Sequence, residues 1–216
     1  QLDINVELAR YLYTLPSRIS TRLRWLGETE KANNSPIKAK AYFDQALIYS
    51  GDYLAFFDRY VSTNSGARIN KRSQSMAFLE HSQNLTKVGD LKNASEYLER
   101  AENLVTALQK NDKNNEESTL DELLILSVRQ EILTQQEKTD AALKIVKRAV
   151  KIADAHHRKD PMNADAMGFL SFFSSRAALI LQMQGRDGEA KSYRSLVQEY
   201  EANYREQFGR DLKYNF

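Results

Sequence analysis

From Lys92 onward the apolar positions fall at Ala94, Leu98, Ala101 and Leu104/Val105, at spacings of three and four residues that put them on one stripe of a helix. Small residues alternate with large ones along the stripe. An alanine lets a neighbouring helix approach closely, and the large residue one turn away fills the space beside it. Gly89-Asp90 breaks the pattern just upstream, with glycine suited to ending one helix and Asp90 to capping the next. Lys87 to Leu104 therefore predicts the turn and second helix of a helical hairpin.

The pattern recurs along the chain. Ala39, Phe43 and Ala46 repeat the offsets behind Ser35-Pro36, a suitable N-cap and first helical residue, and Ala142, Val146 and Ala149 repeat them behind a Thr139 or Asp140 cap. Gly185 and Ala190 open a degraded copy that continues with Arg194 and Val197, as suits a terminal unit with a polar outer face. A further helix-compatible segment lies upstream of each copy, so every unit is a helix pair.

The pattern predicts helices over 3–14, 17–33, 36–62 with a break at Gly51, 70–88, 91–110, 119–136, 139–158, 165–184 and 187–207. They group into one domain, 1–216: an N-terminal helix (1–16), then units 17–63, 69–110, 118–159 and 164–208. The last includes a C-terminal cap built on Tyr193, Leu196, Val197, Tyr200, Tyr204 and Phe208. The polar stretches 62–75 and 110–119 are expected to be loose connections. The aromatic clusters Tyr53 to Tyr60 and Phe169 to Phe173 are expected in the core, and Trp25 is expected to pack within the first unit.

Composition narrows the function. With only 8 glycines and 3 prolines, strands are hard to place anywhere. Lys and Arg number 31 against 29 Asp and Glu, so the surplus that marks a nucleic-acid binder is missing. No apolar run approaches the roughly 20 residues of a membrane span, and no insertion is expected. The absence of cysteine excludes disulfides and thiolate chemistry and fits reducing and oxidising compartments alike. Gln1 at the start suggests an excised domain or a processed chain, leaving localisation open, and oligomeric state is not legible. Asn84-Leu-Thr and Asn93-Ala-Ser match the glycosylation pattern but fall in predicted helices, and are read as chance matches.

No motif for catalysis stands out. The chain has no Gly-rich phosphate loop, no HExxH and no GxSxG. His156 and His157 are adjacent, about 100° apart on a helix, where a metal pair needs offsets of three or four; they suit the helix C-terminus instead. His81 is expected to be a half-buried packing residue. Arg68, Lys71 and Arg72 are read as solvated charges. The expectation is a non-enzyme without cofactor or metal.

The Ala-large-Ala offsets in three units, with Leu26-Gly27 before the first and Gly89 before the second, resemble the tetratricopeptide repeat (TPR) family over roughly residues 17–207. His81-Ser82 stands where the second unit would carry Leu-Gly. The marker alanines 39, 94, 142 and 190 lie 55, 48 and 48 residues apart, against about 34 in the standard repeat. The resemblance implies an all-α fold of antiparallel hairpins stacked as a right-handed superhelix, an α-solenoid whose concave groove holds a partner peptide or helix. In unit 1 it implies Arg24, Glu28 and Lys31 as groove residues, and in unit 2 Met76, Leu79, Gln83 and Lys87. Leu124, Ser127, Glu131 and Gln135 follow in unit 3, and Phe172, Ser175, Leu179 and Met183 in unit 4. The basic, Asn-bearing clamp that some TPR proteins use for a C-terminal carboxylate is not among them. The expected function is a protein interaction scaffold; the alternative is a ligand- or peptide-sensing regulatory domain of a larger bacterial signalling or transcription protein.

Overall fold

The structure, a computed structural model, describes the backbone of residues 2–63, 68–111 and 116–212 and the side chains of 14–58, 71–110 and 117–212. Every regular element among them is a helix: α1 Leu2–Ala32, α2 Pro36–Thr63, α3 Arg68–Val88, α4 Leu91–Asn111, α5 Glu116–Gln135, α6 Thr139–Lys159, α7 Ala164–Met183 and α8 Asp187–Phe208. The chain divides into two compact units, 1–114 and 115–216. In the first, α1 packs on α2, α2 on α3 and α3 on α4, and α1 also touches α3; in the second, α5 to α8 repeat that scheme, with α5 touching α7.

One turn design closes all four hairpins. Asn34 (φ 56°), Gly89 (φ 87°), Glu137 (φ 60°) and Gly185 (φ 69°) sit in the left-handed region, each five residues before a marker alanine. Each turn carries the same pair of bonds that satisfy the last carbonyls of the helix before it. In the second, Gly89 N donates to Thr86 O and Asp90 N to Leu85 O; in the third, Glu137 N donates to Thr134 O and Lys138 N to Leu133 O. The next helix then starts with an alanine amide, Ala39, Ala94, Ala142 or Ala190, donating four residues back. The turn is therefore held by main-chain bonds and tolerates Asn and Glu where glycine would be favoured.

The stripes read from the sequence form the interiors. Ala39, Phe43 and Ala46, Ala94, Leu98 and Ala101, and Ala142, Val146 and Ala149 are all buried, as is Ala190, whereas Arg194 is exposed. Twelve residues before each marker alanine stands a buried residue of the first helix: Gly27, Ser82, Gln130 and Ala178. At Gly27 the Phe43 ring lies so close that a β-carbon would come within 2.6 Å of Cδ1 and 2.9 Å of Cζ. At Ser82 the hairpin closes through a hydrogen bond, with Oγ donating to Ala94 O at 2.7 Å.

Several boundaries differ from the pattern reading. α1 runs unbroken through Pro16, joining the expected helices 3–14 and 17–33. A proline costs a helix one bond, but Ser17 and Ser20 just beyond it are tied to α3, so tertiary contact outweighs the local penalty. α2 likewise crosses Gly51, because Tyr53, Leu54 and Phe57 beyond it are buried. Helices occupy most of both expected loops, and their remainders, 64–67 and 112–115, lie outside the described residues. Asp90 caps α4 as expected, accepting from Asn93 N, while the N-cap position of α6 is Lys138 rather than Thr139 or Asp140 and makes no side-chain cap bond. Trp25 is 49% exposed under the Arg22 guanidinium rather than packed. α7 is long and apolar enough to cross a membrane (mean hydropathy 1.3), contrary to expectation, but 67% of that window is buried, as in a core helix. Tyr200 and Tyr193 of α8 pack against the unit's core, forming the expected terminal cover.

Candidate partner-binding surface

In the first unit, three of the residues marked as groove candidates are engaged in polar contacts between α1 and α3. Arg24 of α1 donates from Nη1 to Asn84 Oδ1 of α3 at 3.3 Å, and Lys87 Nζ pairs with Glu28 Oε1 at 2.6 Å. Asn84 Nδ2 in turn donates to Ser20 Oγ at 2.8 Å and Ala46 O at 3.2 Å. These bonds form a polar ladder along the contact of α1 with α3. Leu79, expected to face a partner, is 3% exposed and belongs to the core. α3 packs against α1, α2 and α4, which leaves it little free face. Met76 and Gln83 are half-buried, and Lys31 is exposed.

The ladder ends on a buried carboxylate. Glu80 Oε2 accepts from Ser17 Oγ at 2.6 Å, while Oε1 has no partner among the described residues. Burial pushes this carboxyl above its usual range, and the Ser17 hydrogen bond and the nearby Arg24 charge oppose the shift only in part. Burial and the Glu80 charge together raise the Tyr53 hydroxyl to about 12.

The second unit presents a different surface. On α7, Ser175 is exposed, Leu179 is 47% exposed and Met183 57% exposed, while Phe172 on the same face is half-buried with the Arg176 guanidinium 5.2 Å from its ring centre. Offsets of three, seven and eleven residues keep these four side chains along one side of the helix. Glu131 and Leu124 on α5 are half-buried, Gln135 is exposed, and Ser127 is buried with its hydroxyl donating to Leu124 O.

A cavity of about 340 Å³ opens between α3 and α4, lined by His81, Leu85, Asn93, Glu96, Tyr97 and Arg100. Burial lowers the His81 imidazole, whose Nδ1 lies 3.0 Å from Ser50 Oγ, and its ring meets Tyr97 edge to face at 4.7 Å. Neither this cavity nor the Glu80 ladder was legible from the sequence. The local signal was the run Ser82, Asn84, Thr86 at alternate positions in the second half of α3. Those polar groups are all buried and hydrogen-bonded.

Among the described residues no group of three His, Asp or Glu side chains is placed to hold a metal ion. His156 is buried, with Nε2 3.4 Å from Asn163 Nδ2, in the last turn of α6, and His157 is half-buried beside it. The geometry defines an all-α chain of helical hairpins. Comparison with protein-family models, curated proteins and solved structures finds no match for this chain.

Proposed function

We propose that this chain is a non-enzymatic, TPR-like scaffold that binds a partner peptide or amphipathic helix along the first helices of its hairpins. The observation that carries the reading is the α7 face. Leu179 and Met183 stand nearly half-exposed or more on a helix whose remaining apolar residues are mostly buried. An exposed leucine and methionine one turn apart, beside a half-buried phenylalanine, supply the anchors that a helix-in-groove partner uses, and methionine adapts to the facing surface. The polar ladder of the first unit suits a stiff support, because Lys87 is paired with Glu28 and Arg24 is bonded to Asn84. The fourfold repetition of the hairpin turn supports the TPR-like reading.

The test compares capture of partners by the wild type and by the Leu179→Glu/Met183→Glu double variant, matched for circular dichroism. Both positions face solvent, so the fold should persist. Proteins retained by the wild type and lost by the variant support the α7 face as the working surface. Equal recovery by both overturns it.

A further inference from the structure

The cavity between α3 and α4 carries two opposite charges that do not neutralise each other. Glu96 and Arg100 are one turn apart on α4, a spacing at which such residues ordinarily pair. Here the Arg100 guanidinium instead lies over the Phe78 ring, 4.1 Å from its centre, and 5.4 Å from that of Tyr97. Neither Glu96 nor Arg100 has an ion-pair partner among the described residues. Stacking fixes the plane of the guanidinium while leaving its edge N–H groups available. Behind His81, Ser50 Oγ of α2 is placed to donate to Leu47 O at 3.0 Å and lies 3.0 Å from His81 Nδ1. In the tautomer that carries its proton on Nδ1 toward Ser50, His81 Nε2 is a lone-pair acceptor with no protein partner among the described residues. Burial keeps this imidazole neutral by lowering its pKa. Leu85 and Tyr97 complete an apolar wall.

We infer that this cavity binds a small zwitterion, a free α-amino acid with an apolar side chain. Its carboxylate would meet the Arg100 guanidinium, its ammonium Glu96 and His81 Nε2, and its side chain Leu85 and the Tyr97 ring. The volume suits a molecule of this size and would leave a macromolecular chain mostly outside. The rim is open to solvent, so binding is modest. The inference goes beyond the scaffold reading and does not depend on it, because the cavity residues are not those of the α7 face.

The experiment uses the full chain, ¹⁵N-labelled, titrated separately with L-leucine, N-acetyl-L-leucine and L-leucinamide. L-Leucine should give saturable amide shifts centred on residues 81–100 and their contacts Ser50 and Phe78, with a Kd below about 5 mM, equivalent to about 3 kcal/mol or more. Removing either charged end should weaken binding about tenfold. Glu96→Gln and Arg100→Met should each do the same, and the first leaves every described packing contact in place. Equal response to all three compounds, shifts centred away from the cavity, or a Kd above about 5 mM would overturn the assignment.

Discussion

Gly27→Ala sets two effects against each other, and the structure decides the sign. In an exposed helix interior the change stabilises by about 0.5–1 kcal/mol, because glycine has more freedom to lose. At this position the new β-carbon would fall 2.6 Å from Phe43 Cδ1 and 2.9 Å from Cζ, and closer still to Cε1. An ordinary carbon contact begins near about 3.5 Å, so α1 and the ring must separate by about 1 Å. Phe43 is only 6% exposed and cannot swing into solvent without leaving the hairpin. Overpacking of this kind costs about 1–3 kcal/mol, so the net effect is a loss of about 0.5–2 kcal/mol and a fall of a few degrees in Tm. Urea unfolding followed by circular dichroism measures it. Phe43→Leu, which removes Cε1 and Cζ and leaves a freely repositioned δ methyl, should soften the second substitution, giving a coupling energy of about 1 kcal/mol in the double-mutant cycle. A gain in stability from Gly27→Ala alone would refute the close approach of α1 and α2.

Ala94→Leu or Ala101→Leu should destabilise by about 1–3 kcal/mol in the same assay, since both methyl groups are fully buried; a change of a few tenths would mean that the stripe faces water. Glu80 should make the first unit less stable as pH rises: its folded pKa lies above the unfolded value of 4.5, so the folded state binds more protons in between, and the stability present below 4.5 is lost as pH passes the folded pKa. Glu80→Gln should flatten that slope in urea midpoints measured from pH 4 to 7, and an unchanged slope would remove Glu80 as its source. Glu137→Gly should stabilise by about 0.5–1 kcal/mol because it relieves a left-handed backbone, and Gly185→Ala should destabilise by about 1 kcal/mol, both read from thermal melts.

The fold was legible where local and global preferences agreed. Alanine spacing fixed the second helix of each hairpin, and Gly89 and Gly185 marked their turns, because the αL position leaves a trace when glycine fills it. Glu137 left none, since the conformation there is imposed by the closing bonds. Pro16 and Gly51 misled for the opposite reason: they report the intrinsic cost of helix, which packing of the flanking segments overcomes. At the candidate surface, the helical register placed Leu79 on a face that only tertiary contact shows to be covered, whereas Leu179 and Met183 on the corresponding side of α7 do face solvent. The Ser17–Glu80 and Arg24–Asn84 bonds join residues 63 and 60 positions apart, a separation over which sequence spacing carries no register.

The turn shared by the four hairpins bears on how such a chain can diverge. Its shape is written in amide and carbonyl groups that every residue except proline supplies, and its second helix is seated by a single small side chain. Selection therefore has only a few positions to hold fixed in each hairpin. The remaining residues can drift, and insertions at the far ends of the helices can lengthen a unit, while the intervals of twelve and five residues before the alanine persist. In a lineage built this way, kinship would survive as spacing after it had faded as residue identity.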